Sequence, residues 1–316
     1  MNRRTLGSSS VGAVGLGCMG MSYAYPTGGW DDGASTAVIR AALDLGVTLI
    51  DTADVYGPHS NERLVGRALR GRRHEAFLAS KGGLVADGPT SGSPVPHGRP
   101  EYLKAAAKAS LQRLGTDCLD LYQLHRVDGK VPLEESWGAL AELVREGAVR
   151  HIGLSEVGVE ELERAQRIHP VSSVQSELSF WTREALRDVV PWCAAHGSGF
   201  VAYAPLGRGF LTGAYRSRRQ FADGDRRLRL PRFTDAAIQA ELGIVASLEV
   251  VAARHGATPG QIALAWILAK GDHIVPIVGT RRQAHLVENA AAPGLRLTPA
   301  DIEELDAVPE PSAPRY

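Results

Sequence analysis

The chain has 316 residues, enough for one large α/β domain or two small ones and for a substantial buried core. Its 35 Lys and Arg balance 35 Asp and Glu, so the net charge is zero and nothing indicates a nucleic acid or another bulk polyanion as partner. Cys18, Cys118 and Cys193 lack the C-x-x-C spacing of a zinc site and are odd in number, which argues against a disulfide framework. The expected compartment is the cytoplasm.

The amino-terminal segment faintly resembles a twin-arginine export signal, because Arg3 and Arg4 precede a mildly apolar stretch. Gly7, Gly12 and the serines at 8–10 dilute that stretch too much for the apolar region of a signal. We therefore predict an ordinary start to the fold. The chain has no uncharged apolar run of about 18 residues, so no membrane-spanning segment is expected.

Strand-like and helix-like patterns alternate along the chain without a break in composition. Runs rich in apolar and branched residues predict eight strands, at VGLGC, TLIDTA, AFLASK, LDLYQLH, RHIGLSE, SSVQSEL, GFVAYAPL and HIVPIVGT. Apolar residues at i, i+3 and i+4 between them predict helices, at STAVIRAALDLG, NERLVGRALRG, EYLKAAAKASLQRLG, EESWGALAELVREG, VEELERAQRI, 188–196 and 235–255.

Eight strand–helix alternations of this length predict an α/β fold, a (β/α)8 TIM barrel, which needs about 250 residues. A doubly wound sheet is the alternative. The opening RRTLGSSSVGAV predicts a β-hairpin that caps the bottom of the barrel. Residues 207–234, basic and poor in strand signals, predict a long loop after the seventh strand. With no linker in the sequence, we predict a single domain, 1–316.

Four protonatable side chains follow successive predicted strands. Asp51 and Tyr56 follow the second strand, Lys81 ends the third and His125 ends the fourth. In a parallel barrel these ends share one rim, where the chemistry of such enzymes lies. Lys81 could lower the pKa of Tyr56 from its ordinary value near 10, while Asp51 orients Lys81. Tyr56 could then protonate, and His125 hydrogen-bond, an oxygen that becomes negative during hydride transfer.

Each of the four also has a structural interpretation. Taken alone, Asp51 is more typical of a capping carboxylate and Tyr56 of a packed aromatic ring. Lys81 before two glycines is typical of a solvated loop lysine, and His125 of a core histidine. The order of all four at successive strand ends is what favours catalysis.

The motifs around these residues resemble those of the aldo-keto reductases, in the bacterial and plant branch with long loops. The resemblance covers residues 3–307 and rests on DTADVYGPHSNE, a strand ending in SK, LDLYQLHRVD, GAVRHIGLSE and AYAPLGRGFLTG. It implies a (β/α)8 barrel that uses NADPH/NADP+, with a catalytic tetrad of Asp51, Tyr56, Lys81 and His125.

The resemblance also implies a set of cofactor contacts. Ser155 and Gln175 match positions that bind the nicotinamide carboxamide, and Tyr203 matches the aromatic residue on which the nicotinamide stacks. Asp51 is also among the implied contacts. The others are Gly17, Cys18 and Met19 beneath the nicotinamide, Leu206, Gly207 and Arg208 in the loop over the pyrophosphate, Gly279, Thr280 and Arg281 at the 2′-phosphate, and His285, Glu288 and Asn289 at the adenine. A helix beginning near Arg281 would offer free N–H groups and positive charge to that phosphate.

Three details qualify this picture. Glu156 stands where short-loop members carry Asn, although related long-loop sequences share the Glu. Leu178, Phe180 and Trp181 fit either a substrate pocket or the core. Gly15–Gly20 satisfies the dinucleotide pattern G-x-G-x-x-G, but MSYAYPTGGW after it does not predict the helix that a Rossmann site requires.

The sequence therefore predicts NADPH-dependent reduction of an aldehyde or ketone, a small-molecule carbonyl substrate, with Tyr56 as the proton donor. A non-catalytic, nucleotide-sensing subunit of the same fold is a second hypothesis, and a Schiff-base lyase using Lys81 is a third. No residue spacing predicts a metal site. The loops at 22–32, 85–99 and 209–234 would shape the substrate pocket, but they do not identify the substrate.

Overall fold

The computed structural model describes residues 2–25, 29–86, 94–311 and 313–315. Eight parallel strands close into a barrel in the order β3-β4-β5-β8-β9-β10-β11-β12, so the predicted TIM barrel is confirmed and the doubly wound alternative is wrong. The strands, in chain order, are β1 (Arg3–Leu6), β2 (Ser9–Gly12), β3 (Gly15–Gly17), β4 (Leu49–Asp51), β5 (Phe77–Gly82), β6 (Leu84–Val85), β7 (Val95–Pro96), β8 (Leu119–Leu124), β9 (Val149–Ser155), β10 (Ser173–Glu177), β11 (Gly199–Tyr203) and β12 (Ile274–Gly279).

Helices surround the barrel and carry the chain from one parallel strand to the next. They are α1 (Asp32–Asp44), α2 (Ser60–Leu69), α3 (Pro100–Leu114), α4 (Leu133–Arg145), α5 (Val159–Gln166), α6 (Val189–His196), α7 (Asp235–His255), α8 (Pro259–Ala269), α9 (Gln283–Ala291) and α10 (Pro299–Asp306). The long loop predicted after the seventh strand consists of turns and short 3-10 helices, Gly207–Thr212, Arg218–Gln220, Arg226–Arg229 and Pro231–Phe233.

The predicted amino-terminal hairpin is present and closes one end of the barrel. β1 pairs antiparallel with β2. Leu6 and Val11 of the hairpin are buried in one cluster with side chains of the barrel interior, including Leu49 and Val201. The Arg4 guanidinium connects the hairpin to α8 by donating a hydrogen bond to the carbonyl of Leu268 at 2.6 Å. The hairpin therefore covers the end of the barrel opposite the carboxyl ends of its strands.

Two helices, α8 and α10, lie outside the patterns recognised in the sequence. Residues 262–268 of α8 are all buried, because this helix is covered on more than one side. A helix buried all round has no alternation of apolar and polar faces, which is the signal that periodicity detects. The small antiparallel pair β6–β7 was also not predicted, and residues 87–93 between its strands lie outside the described part of the chain.

Helix α7 is the one described helix that is long and apolar enough to cross a membrane by length and composition. Its 21 residues begin after Thr234, whose side chain caps the helix by accepting from Ala237 N. Ile238, Val245 and Leu248 on one side are buried, and the helix packs against α8. One buried side is typical of a helix that packs on the outside of a barrel.

Candidate active site

The carboxyl ends of three neighbouring strands bring the predicted tetrad together. Asp51 closes β4, Lys81 lies near the end of β5, and His125 directly follows β8. β4 pairs with β5 and β5 with β8, so these three residues share one rim. Tyr56 joins them from the loop after β4, and its ring meets the His125 ring edge-on at 5.8 Å between centroids.

Lys81 connects the other members of the tetrad. Its side chain is fully buried, and Nζ donates to Asp51 Oδ1 at 2.7 Å, to Asp51 Oδ2 at 2.8 Å and to the Thr52 carbonyl at 2.8 Å. Lys81 and Tyr56 are also hydrogen-bonded through their side chains. Burial by itself lowers the pKa of Lys81, but Asp51 and Tyr56 outweigh it and the pKa is raised. Lys81 is therefore an ammonium ion at neutral pH.

The pKa of Tyr56 departs from the sequence prediction. Lys81 favours the phenolate as predicted, through its charge and its hydrogen bond. Burial of the phenol is the larger effect, however, and the net pKa is raised instead of lowered toward neutrality. The predicted direction is therefore wrong for this structure, and Tyr56 carries its proton at neutral pH.

His125 is neutral for the same physical reason. Burial lowers its pKa well below the ordinary value, and the positive charges of Lys81 and Arg126 add to that effect. Among the residues that the structure describes, Nδ1 of His125 is buried without a hydrogen-bond partner. A neutral imidazole at the rim can donate one hydrogen bond to a substrate oxygen.

Buried amides on the strands and on α2 support the tetrad. Gln175 Nε2 donates to Asp51 Oδ2 and to Gln123 Oε1, both at 3.0 Å. Asn61 Nδ2 donates to the Cys18 carbonyl at 2.9 Å, and Asn61 Oδ1 accepts from Thr52. Sequence analysis did not identify Gln123 or Asn61. Gln123 lies on β8 two residues before His125, which directly follows that strand, and this spacing could have indicated that both side chains point to the same side.

Two predicted carboxamide-binding side chains lie next to each other. Ser155 and Gln175 are paired in register on β9 and β10. The Ser155 hydroxyl accepts from Arg126 Nη1 at 3.0 Å, a contact that the sequence did not indicate. Because the Gln175 amide nitrogen is used by Asp51 and Gln123, its amide oxygen is the group that it can offer to a carboxamide NH2. Tyr203 ends the next strand and is partly exposed.

The loop after β11 begins with a run of left-handed residues. Gly207, Arg208 and Gly209 have φ of 55°, 55° and 95°. Such a backbone turns sharply, as the predicted passage of Leu206, Gly207 and Arg208 over a pyrophosphate requires. The Arg208 side chain donates to both carboxylate oxygens of Glu177, at 3.1 and 2.9 Å. Because the Arg208 side chain is paired with Glu177, we expect Arg208 to contact a pyrophosphate through its backbone.

Gly17 ends β3, the first barrel strand, and Cys18 and Met19 follow it at this rim, but the Cys18 side chain belongs to the core. Its side chain is fully buried, its N–H donates to the Asp51 carbonyl at 2.9 Å, and its carbonyl accepts from Asn61. Met19 begins a 3-10 helix, and the next α-helix starts only at Asp32. The Rossmann interpretation of Gly15–Gly20 is therefore wrong.

The residues predicted to bind the adenosine end lie after β12 and on α9. Gly279 ends β12, Thr280 Oγ1 accepts from Arg282 N at 3.1 Å, and Arg281 Nη1 donates to the Gly29 carbonyl at 2.6 Å. On α9, His285 is exposed, Asn289 is buried, and Glu288 accepts from Thr258 at 2.6 Å. The adenine contacts of these three residues stay predictions.

The segment after β10 belongs to the core. Leu178, Phe180 and Trp181 are all almost completely buried. Trp181 stacks on Phe210 of the long loop with 4.2 Å between ring centroids. The alternative of a substrate pocket formed by these three side chains is not realised. Tyr23, from the loop after β3, instead lies over Tyr56 at 6.2 Å between nearly parallel rings.

Comparison with known proteins agrees with this geometry. The model of the Aldo/keto reductase family matches residues 13–310. The chain belongs to this family. It is 42% identical over 307 residues to the aldo-keto reductase yakc [NADP(+)] of Schizosaccharomyces pombe, covering 96% of this chain and 89% of that protein.

Solved structures show the same fold. The glycerol dehydrogenase of Gluconobacter oxydans has a TM-score of 0.88 at 29% identity, with 96% of this chain and 94% of that chain covered. An aldo-keto reductase of Klebsiella pneumoniae, solved in complex with NADPH, has a TM-score of 0.75 at 29% identity, with 99% and 97% covered.

Proposed function

We propose that the protein is an NADP(H)-dependent reductase of aldehydes or ketones, with Tyr56 as the proton donor. The observation that supports this most strongly is the buried Lys81 ammonium, which bonds Asp51 on one side and Tyr56 on the other. The membership of the aldo/keto reductase family and the relatives named for NADP(+) or solved with NADPH agree with it.

The residues at the rim fit a nicotinamide nucleotide. A carboxamide offers two N–H donors and one oxygen acceptor, and the hydroxyl of Ser155 and the amide oxygen of Gln175 lie on adjacent strands to meet them. Tyr203 supplies a ring at the next strand end, and Arg281 lies where the 2′-phosphate is predicted. When bound, the nucleotide supplies the hydride.

The chain's own groups then handle the oxygen of the substrate. Neutral His125 donates a hydrogen bond that holds the carbonyl near Tyr56. Tyr56 carries its proton at neutral pH and passes it to this oxygen as negative charge develops there. Lys81 stabilises the resulting phenolate by its charge and hydrogen bond, and Asp51 keeps Lys81 in place.

The same geometry disfavours a Schiff-base lyase. A lysine nucleophile must be a neutral amine, and enzymes achieve this by lowering its pKa. Lys81 has a raised pKa, and its Nζ is used by Asp51, Thr52 and Tyr56.

The test is the variant Tyr56→Phe. We expect it to bind NADPH with unchanged affinity but to oxidise NADPH with a panel of aldehydes about 100- to 10,000-fold more slowly, because the proton donor is lost. Binding is measured by titration of protein fluorescence, and activity by NADPH absorbance.

The matched control is Tyr122→Phe. Tyr122 is fully buried in β8, and its hydroxyl is without a hydrogen-bond partner in the described part of the chain. We expect this variant to keep wild-type rates. Nearly full activity in Tyr56→Phe would refute the assigned proton donor.

A further inference from the structure

Two carboxylates lie side by side next to the strand that carries Tyr203. Glu177 ends β10 and is paired in register with Tyr203 at the end of β11. Glu156 follows β9, and its Oε1 accepts from the backbone N–H of Glu177 at 2.9 Å. Glu177 is almost completely buried. Two acids at this position would make the surroundings of a ring on Tyr203 strongly negative if nothing opposed them.

Arginines from two distant parts of the chain oppose this charge. Arg208 of the long loop binds both oxygens of Glu177. Arg315, from the segment after the last helix, hydrogen-bonds Glu156 and places its Nε 3.9 Å from Glu177 Oε2. This pairing accounts for Glu156, the residue that differs from the Asn of short-loop relatives.

The segment that carries Arg315 is held against the rim by a third arginine. Arg232 Nε donates to the Ala313 carbonyl at 3.0 Å, and Arg232 Nη1 donates to the Trp181 carbonyl at 2.8 Å and to Thr182 Oγ1 at 2.7 Å. Arg232 is almost completely buried. Arg315 is therefore held at the rim by contacts at both its backbone segment and its side chain.

Arg315 also interacts electrostatically with Tyr203 itself. Burial alone would lower the pKa of Arg315, but Tyr203, Glu156 and Glu177 together raise it. The charged groups around this point are thus Glu156, Glu177 and Glu184 against Arg208, Arg232 and Arg315. With Arg315 the two signs balance, and without it the cluster carries one net negative charge.

We propose that Arg315 biases the cofactor site toward the reduced nucleotide. The nicotinamide ring is a cation when oxidised and neutral when reduced, so a positive charge beside it weakens binding of the oxidised form only. In this proposal Arg315 is a positioning charge that acts through its electric field. The inference rests on the proposed function, in particular on nicotinamide binding at Tyr203.

The experiment measures the dissociation constants of NADPH and NADP+ separately, by fluorescence titration. Arg315→Ala should raise the ratio Kd(NADPH)/Kd(NADP+) about three- to tenfold, the effect of one unit charge at a partly solvated site. Arg315→Lys, which keeps the charge, should restore the wild-type ratio. Glu156→Gln removes a negative charge from the same cluster, so it should shift the ratio in the opposite direction.

Arg187→Ala is the control, because Arg187 forms an exposed ion pair with Glu310, just before the same segment. It changes the net charge equally and should leave the ratio unchanged. An unchanged ratio in Arg315→Ala, or shifts of equal sign in Arg315→Ala and Glu156→Gln, would overturn the inference. A general loss of packing would weaken both nucleotides together and leave the ratio constant.

Tyr203→Ala separates this inference from the proposed function. If it weakens both nucleotides while Arg315→Ala leaves the ratio unchanged, the nicotinamide is at Tyr203 and only the role of Arg315 is wrong. If Tyr203→Ala weakens the binding of neither nucleotide, the nicotinamide ring binds elsewhere. Both its proposed position at Tyr203 and the inference about Arg315 are then wrong.

Discussion

Burial shifts the pKa values of His125 and Tyr56, two ionisable side chains of the rim, in opposite directions. It lowers the pKa of His125 and raises that of Tyr56, because in each case the charged form loses its hydration. Lys81 is buried just as deeply, yet Asp51 keeps its pKa raised. The three groups are therefore a neutral imidazole, a protonated phenol and an ammonium ion, which are the states that the proposed proton donation to a carbonyl requires.

Burial also shifts the pKa of Asp54, an acidic residue outside the tetrad. Burial, with the neighbouring charge of Glu62, raises its pKa to about 7. Its Oδ1 has no hydrogen-bond partner within the described residues. Between about pH 4 and pH 7 the folded protein thus holds a proton that the unfolded chain has released, so stability falls as the pH rises through this range.

We expect Asp54→Asn to remove this dependence. The free energy of unfolding of the wild type should fall by about 2 to 3 kcal/mol more than that of the variant between pH 5 and pH 8, measured by urea denaturation. Asp117→Asn, at an exposed position, should keep the wild-type profile. Parallel profiles for Asp54→Asn and the wild type would mean that Asp54 is already ionised in the folded protein.

Strand ends and helix starts determine where each end of the nucleotide can lie. The carboxyl-terminal halves of β9, β10 and β11 carry Ser155, Gln175 and Tyr203, the residues that we propose for the nicotinamide. At the opposite end, β12 leads within four residues into α9, whose first turn presents free N–H groups beside Arg281 and Arg282. A helix start flanked by arginines is suited to a phosphate, which distinguishes NADPH from NADH.

Arg281→Ala tests this assignment. It should raise the Kd for NADPH about 10- to 100-fold, because a hydrogen-bonded charge pair with the 2′-phosphate is lost, and leave the Kd for NADH unchanged. Both constants are measured by fluorescence titration, with NADH as the internal control. Equal weakening of the two nucleotides would show that Arg281 supports the loop at Gly29 and does not bind the phosphate.

The two ends of the barrel differ in the chemical character of the side chains that line them. The rim keeps charged and polar side chains in fixed positions, while the hairpin β1–β2 closes the other end with apolar ones. Leu6 and Val11 bring the interior of the barrel and the hairpin into one core. The stability of the barrel therefore depends on a segment far from the chemistry.

Val11→Ala should lower the free energy of unfolding by about 2 kcal/mol, because two buried methyl groups are removed and the barrel cannot collapse onto the space. The measurement is urea denaturation. Val250→Ala makes the same chemical change at a side chain that is 55% exposed on α7, and it should be neutral or slightly stabilising, since Ala favours helix. Similar losses in both variants would contradict the role of the hairpin as a plug.

The barrel and the grouping of the four predicted residues could be inferred from local sequence patterns. Strand and helix periodicities are local, and parallel strands bring their carboxyl ends to one rim, so Asp51, Lys81 and His125 follow from chain order alone. Only the tertiary structure decided the direction of the Tyr56 pKa, the core position of Trp181, the pairing of Arg208 with Glu177 and the place of Arg315 at the rim. Burial and long-range charge pairs depend on which distant segments fold against a residue, and no local pattern encodes that.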